Sequence, residues 1–97
     1  MGRVLHARSA RNDLLEAWLY IAKDDPAAAD RVLDAIEQEG NTLSLQPLMG
    51  RLRPELWRGV RSWPTSNAHV LFYPAGKKGI TVLQVLHHAR DVQRIVF

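Results

Sequence analysis

Four arginines between residues 51 and 61 (Arg51, Arg53, Arg58 and Arg61) and the adjacent pair His87 and His88 are the side chains whose types and spacing could act on an anion. Breaking an RNA strand through its own 2′-hydroxyl needs a base, an acid and cations that hold the charged phosphorane. The arginines qualify as the cations. They do not move protons, because arginine stays protonated in proteins. His87 or His88 could, since histidine titrates near neutrality. In an extended segment neighbours point to opposite faces, which argues against a metal shared by the two imidazoles. His6 and His69 lie elsewhere without carboxylates at the spacing of a metal site, and neither a Ser–His–Asp order nor a phosphate-binding glycine loop is present. The sequence predicts no catalytic, cofactor-binding or metal-binding residue.

The same residues suit recognition. On a strand, positions 57, 61 and 63 share one face, which groups Trp57, Arg61 and Trp63, and aromatic and arginine side chains dominate the hot spots of protein interfaces. The alternative is a core tryptophan with an arginine snorkelling past it. Arg90 and Asp91 also have two readings, either a capped terminal turn with an internal ion pair or a contact with a partner. The candidate partner-binding residues are Arg51, Arg53, Trp57, Arg58, Arg61 and Trp63, followed by His88, Arg90, Asp91, Arg94 and Phe97.

Charge is divided unevenly. Residues 1–48 carry five Lys/Arg against eight Asp/Glu, whereas residues 49–97 carry eight against two, so a net +3 chain has an acidic first half and a basic second half. A basic surface attracts nucleic acid or an acidic protein segment. The 97 residues, 46% hydrophobic, suit one domain over 1–97 with a core of its own. The absence of cysteine excludes disulfides and thiolate chemistry and points to a reducing compartment. No apolar stretch is long enough to span a bilayer and residues 1–11 lack the apolar run of a signal peptide, so the expectation is a cytoplasmic protein with no membrane partner.

The elements that must position these residues follow from periodicity. Residues 3–8 alternate as a short strand, and Ser9 is placed to cap a helix whose apolar stripe runs through Leu14, Trp18 and Ile21, with Trp18 in the core. Asp25-Pro26 reads as an N-cap followed by proline at the first helical position. The second helix carries Ala29, Val32, Ile36, Gly40 and Leu43 on one face, with Gly40 as a close-packing point, and ends at Gln46 before Pro47. The period then changes to two. Strands are predicted over 56–63, 68–73 and 80–87, joined by turns at 64–67 and 74–79 into an antiparallel meander whose last member is central. A helical turn is predicted over 91–96. The order is β-α-α-β-β-β, an α+β fold with a helical hairpin on one sheet face and the basic residues on the other.

Several motifs in this order resemble the ParE branch of the RelE/ParE toxins over essentially the whole chain. Pro47-Leu48-Met49-Gly50-Arg51, Pro54-Glu55-Leu56 and Gly59-Val60-Arg61-Ser62 resemble its helix-to-sheet segment and first central strand. Val70-Leu71-Phe72-Tyr73 resembles its next strand, and Val85-Leu86-His87-His88-Ala89-Arg90-Asp91 its ending. Ala10, Asp13-Leu14, Trp18 and Tyr20-Ile21-Ala22 match its first helix. Pro74 and His88 depart from the family, which often has arginine and glycine there. The resemblance implies a non-enzymatic toxin that poisons DNA gyrase. It also implies a ParD-like antitoxin whose disordered segment wraps the toxin in a hetero-oligomer, and no sequence-specific DNA binding by the toxin alone. RelE-type relatives cut messenger RNA on the ribosome and often carry extra lysines and a C-terminal tyrosine. Here the tail is Ile95-Val96-Phe97, and the lysines of the second half are Lys77 and Lys78 alone. A ribonuclease is the first alternative, and a non-toxic interaction module, marked by salt-sensitive nucleic-acid binding, is the second.

Overall fold

The computed structural model describes residues 2–88. The expected helical turn at 91–96 and the candidates Arg90, Asp91, Arg94 and Phe97 lie outside the described residues.

The chain opens with β1 (Arg3–His6) and turns directly into α1 (Arg8–Ala22). Ser9 does not cap this helix. Ala7 is the N-cap and contributes no side-chain bond, while the Ser9 hydroxyl donates to the Leu83 carbonyl at 2.7 Å. Trp18 is likewise not fully buried. It lies half-buried and donates its indole N–H to Asp30 Oδ1 at 2.8 Å, tying one helix of the hairpin to the other. Asp25 and Pro26 behave as the sequence predicts: Asp25 caps α2 (Pro26–Leu45) by accepting from the Ala28 N–H at 3.1 Å. Helix α2 buries Ala29, Ile36, Gly40 and Leu43, and it ends with Gln46 as its C-cap.

A 3₁₀ turn (Pro47–Met49) leads into β2 (Arg51–Leu52), followed by β3 (Val60–Pro64), β4 (His69–Pro74), β5 (Gly79–Val82) and β6 (Gln84–His87). Strands β2-β3-β4-β6 form an antiparallel sheet and β1 pairs in parallel with β5. Two boundaries differ from expectation. The strand predicted from Leu56 begins only at Val60, because Leu56 and Trp57 donate back to the Arg53 carbonyl and make a turn that ends at Gly59, where φ is +79°. The strand predicted over 80–87 is broken at Leu83, whose N–H donates to the Phe72 carbonyl. Its first half pairs with β1 and its second with β4, so the strand expected to be central is divided, and β6 forms an edge of the four-stranded sheet.

Alternation along β3 sends Arg61 and Trp63 toward the helices and Val60 and Ser62 to the outer face. Trp63 packs on the main core of Ile36, Leu43, Leu71, Tyr73, Ile80, Val82 and Val85. Val60, Phe72 and Leu86 form a smaller outer cluster that Leu56 partly covers. Among the described residues, no helix is long and apolar enough to cross a membrane.

Gly40 is not a tight contact. An added methyl would sit 3.7 Å from Val4 Cγ1, at ordinary van der Waals distance, beside a cavity of ≈ 280 Å³ between α2 and β1. Gly40→Ala is therefore expected to stabilise the protein by about 1 kcal/mol through helix propensity. A urea midpoint that stays put or falls would contradict this.

Candidate partner interface

Tyr73 and Arg61 carry out the local construction that matters most for the surface. Tyr73 is fully buried, and its hydroxyl donates to the Pro47 carbonyl at 2.9 Å while accepting from the Gly50 N–H at 3.0 Å. Burial pushes this phenol above its ordinary pKa, which keeps the donor proton in place. A side chain at Gly50 would collide with that hydroxyl, so glycine is required there. From β3, the Arg61 guanidinium donates to the carbonyls of Leu48 at 3.2 Å and Gly50 at 2.7 Å. The 47–50 turn is thus tied to the sheet from two sides.

This changes the expected role of several candidates. Arg61 lies on the helix-side face, not the outer one, because it stands opposite Tyr73 on β4, and carbonyls of the turn hold its guanidinium there. Trp63 donates its indole N–H to Glu39 Oε1 at 3.1 Å, and Glu39 Oε2 also accepts from the Ser66 N–H and hydroxyl. Trp63 is therefore a core residue with a polar handle. Trp57 does not share a strand face with it. It stands in the turn before β3 and is 55% exposed.

Arg51 and Arg53 project to the outer face, since their registry partners are Ser62 and Val60. Arg53 is engaged by Glu55 at 2.6 Å and by the Ser62 hydroxyl at 3.2 Å. The hydrogen bond from Arg53 holds the Glu55 carboxyl below its usual range. Arg51 and Arg58 are exposed.

His87 and His88 separate as strand alternation predicts. His87 is half-buried, with its ring edge-on to His69 at 5.5 Å, whereas His88 is exposed and donates its backbone N–H to the Ala68 carbonyl. His88 follows β6, at the opposite side of the four-stranded sheet from Arg51 on β2. Three strand spacings, roughly 14 Å, lie between them.

Sequence reasoning missed three features. Leu45, Leu48, Met49 and Leu52 are all exposed, Leu48 by 70%. Their signal was an apolar run after the helix end that fits neither period. Asp13 is buried and accepts from the Val85 N–H at 2.9 Å, which fixes α1 to β6. The cavity beside Gly40 is lined by Val4, Leu14, Leu33, Ile36, Leu71 and Val82, with His6, Glu37 and Asn41 among its polar groups.

His6 gives that cavity a pH dependence. Burial lowers its pKa, Glu37 opposes the shift and Arg11 adds to it. A base whose folded pKa is lowered binds fewer protons folded than unfolded. Its stability is therefore intact above the ordinary histidine pKa and is lost as pH falls through that range. The melting temperature is expected to drop between about pH 7 and pH 5, and His6→Gln should flatten that slope. An identical slope in the variant would remove His6 as its source.

A family model described as "ParE toxin of type II toxin-antitoxin system, parDE" matches residues 4–92. Among solved structures, "Chromosomal ParDE TA system from P. aeruginosa" aligns with a TM-score of 0.73 at 21% identity, covering 90% of this chain and 96% of that chain. At that identity the likeness is one of fold. The search of curated proteins gives no match.

Proposed function

Given that this chain belongs to the ParE toxin family of type II toxin–antitoxin systems, we propose that it arrests growth by binding DNA gyrase without catalysing a reaction, and that a ParD-like antitoxin silences it. The separation of His88 from Arg51 is the observation that carries the non-catalytic reading. Strand scission needs the base and the cations on one phosphorus, and the exposed imidazole and the exposed arginine of β2 stand on opposite sides of the sheet. The remaining cations hold anions without transferring protons. For the antitoxin, the cleft between α2 and β1 has the concave, apolar form that receives the anchor residues of a segment folding as it binds.

A paired assay tests this. Purified chain is added to gyrase supercoiling with trapping of the cleavage complex, and separately to translating ribosomes with a reporter mRNA. Gyrase inhibition with intact mRNA is the expected result. Untouched gyrase with mRNA cleavage that falls about 10²–10⁴-fold in His88→Ala would establish a ribonuclease instead.

A further inference from the structure

An exposed apolar loop is ordinarily loose, since nothing holds it and water gains nothing from it. The segment from Leu45 to Leu52 combines exposure with fixation. Leu45, Leu48, Met49 and Leu52 face solvent, while the backbone between them is held by Tyr73 and Arg61 and by the absence of a side chain at Gly50. The ordering cost of this turn is met on folding, which is how a binding surface is pre-organised. No acidic residue occurs between Glu39 and Glu55, and Arg51 is exposed within the segment.

We propose that the Leu45–Leu52 turn is the surface that grips the toxin's target, and that the target offers a folded, concave apolar site rimmed by carboxylates. The assignment rests on the toxin reading given above. Four considerations select this occupant. Convex side chains on a rigid turn need a pre-existing hollow, and a hollow belongs to a folded protein. A segment that folds on binding lays its own convex side chains into a groove, so the antitoxin is matched to the α2–β1 cleft and not to this turn. Leucine and methionine gain nothing from a phosphate backbone, whose recognition runs through cations. A second copy of this chain would have to dock the basic turn head-to-tail on a different surface, and the exposed α1 face sets Glu16 against Arg8 and Arg11, which gives no acidic rim.

The test uses the full chain carrying Leu48→Ser with Met49→Ser, and separately Arg51→Ala. Growth arrest on induction, co-elution with a ParD-like antitoxin, the melting temperature and the sedimentation of the toxin are read in parallel. The double variant is expected to melt like the parent and keep its antitoxin complex, while needing roughly tenfold or more toxin for the same arrest, the size of a hot-spot truncation. Should it melt early, Leu48→Ser alone, at the most exposed of the four positions, is expected to show the same split with a smaller shift.

Arrest at the parental dose overturns the proposal, as does arrest lost in step with antitoxin binding, which makes the turn the antitoxin's seat. A loss confined to Arg51→Ala identifies a polyanion as the occupant. Parental self-association abolished by the double variant identifies a second copy. A parent chain that arrests no growth removes the toxin reading and this assignment with it, and is told apart by needing no variant.

Discussion

Gly79→Ala is expected to cost about 3 kcal/mol or more of stability, a large share of the 5–15 kcal/mol typical of a domain. Gly79 has φ +142°, a backbone conformation that side-chain-bearing residues rarely adopt. It also lies opposite Arg3 in the parallel β1–β5 pair, where a methyl would overlap the Arg3 backbone nitrogen and carbonyl. These are backbone atoms of a paired strand, so no flexible side chain can swing aside. Relief comes only by parting β1 from β5, which opens the cavity wall at Val4 and Val82. At about 4–8 °C per kcal/mol for a domain this size, the melting temperature should fall by more than about 12 °C. Gly59→Ala is the control, since φ there is +79° but the space around it is open. It should cost roughly 1 kcal/mol from backbone conformation alone. Equal losses at the two positions would show that the close approach to Arg3 contributes nothing.

Asp13→Ala is expected to cost about 2–4 kcal/mol. The carboxyl group sits buried in the second turn of α1, where Oδ2 accepts from the Val85 N–H just after the break at Leu83. One turn earlier, the Ser9 hydroxyl donates to the Leu83 carbonyl. Together these two side chains satisfy backbone groups of the broken strand and set the helix on the sheet. Alanine leaves a buried N–H with no acceptor and a void. Asp13→Asn keeps an acceptor oxygen and should lose about half as much. A urea midpoint equal to the parent's in Asp13→Ala would refute the role of this carboxyl as the anchor of α1.

The helical half of the fold was legible in the sequence because its signals are local. Asp25 and Pro26 announce a helix start within two residues, and Ala29, Ile36, Gly40 and Leu43 repeat at the helical period. The sheet was legible as far as turns at 64–67 and 74–79 punctuate it. The break at Leu83 was not, because Ile80 to Leu86 is apolar on nearly both faces and carries no parity to lose. It exists because one half of the segment pairs with β1 from the far end of the chain. Parity failed for Trp57 because the backbone turn from Arg53 to Gly59 intervenes, although Pro54 and Gly59 were its markers.

The site was less legible for the same reason. Arg61 looked free because its acceptors are carbonyls of a separate turn, and no spacing rule reports that. Leu48 and Met49 stood in the sequence only as part of the helix-to-sheet segment, since exposure depends on what the sheet leaves uncovered.

The parallel pairing of β1 with β5 bears on how late in synthesis this fold can close. Strand β1 finds its partner only after Gly79 to Val82 has been translated. Helix α1 likewise waits for Val85. A nascent chain therefore has no closed core until β5 is made, and long-range closure of this kind is slow relative to helix formation. A product that ends before Gly79 cannot pair β1. Truncation ahead of Gly79 accordingly abolishes the fold, whereas a substitution reaches it only where a side-chain or backbone contact is lost.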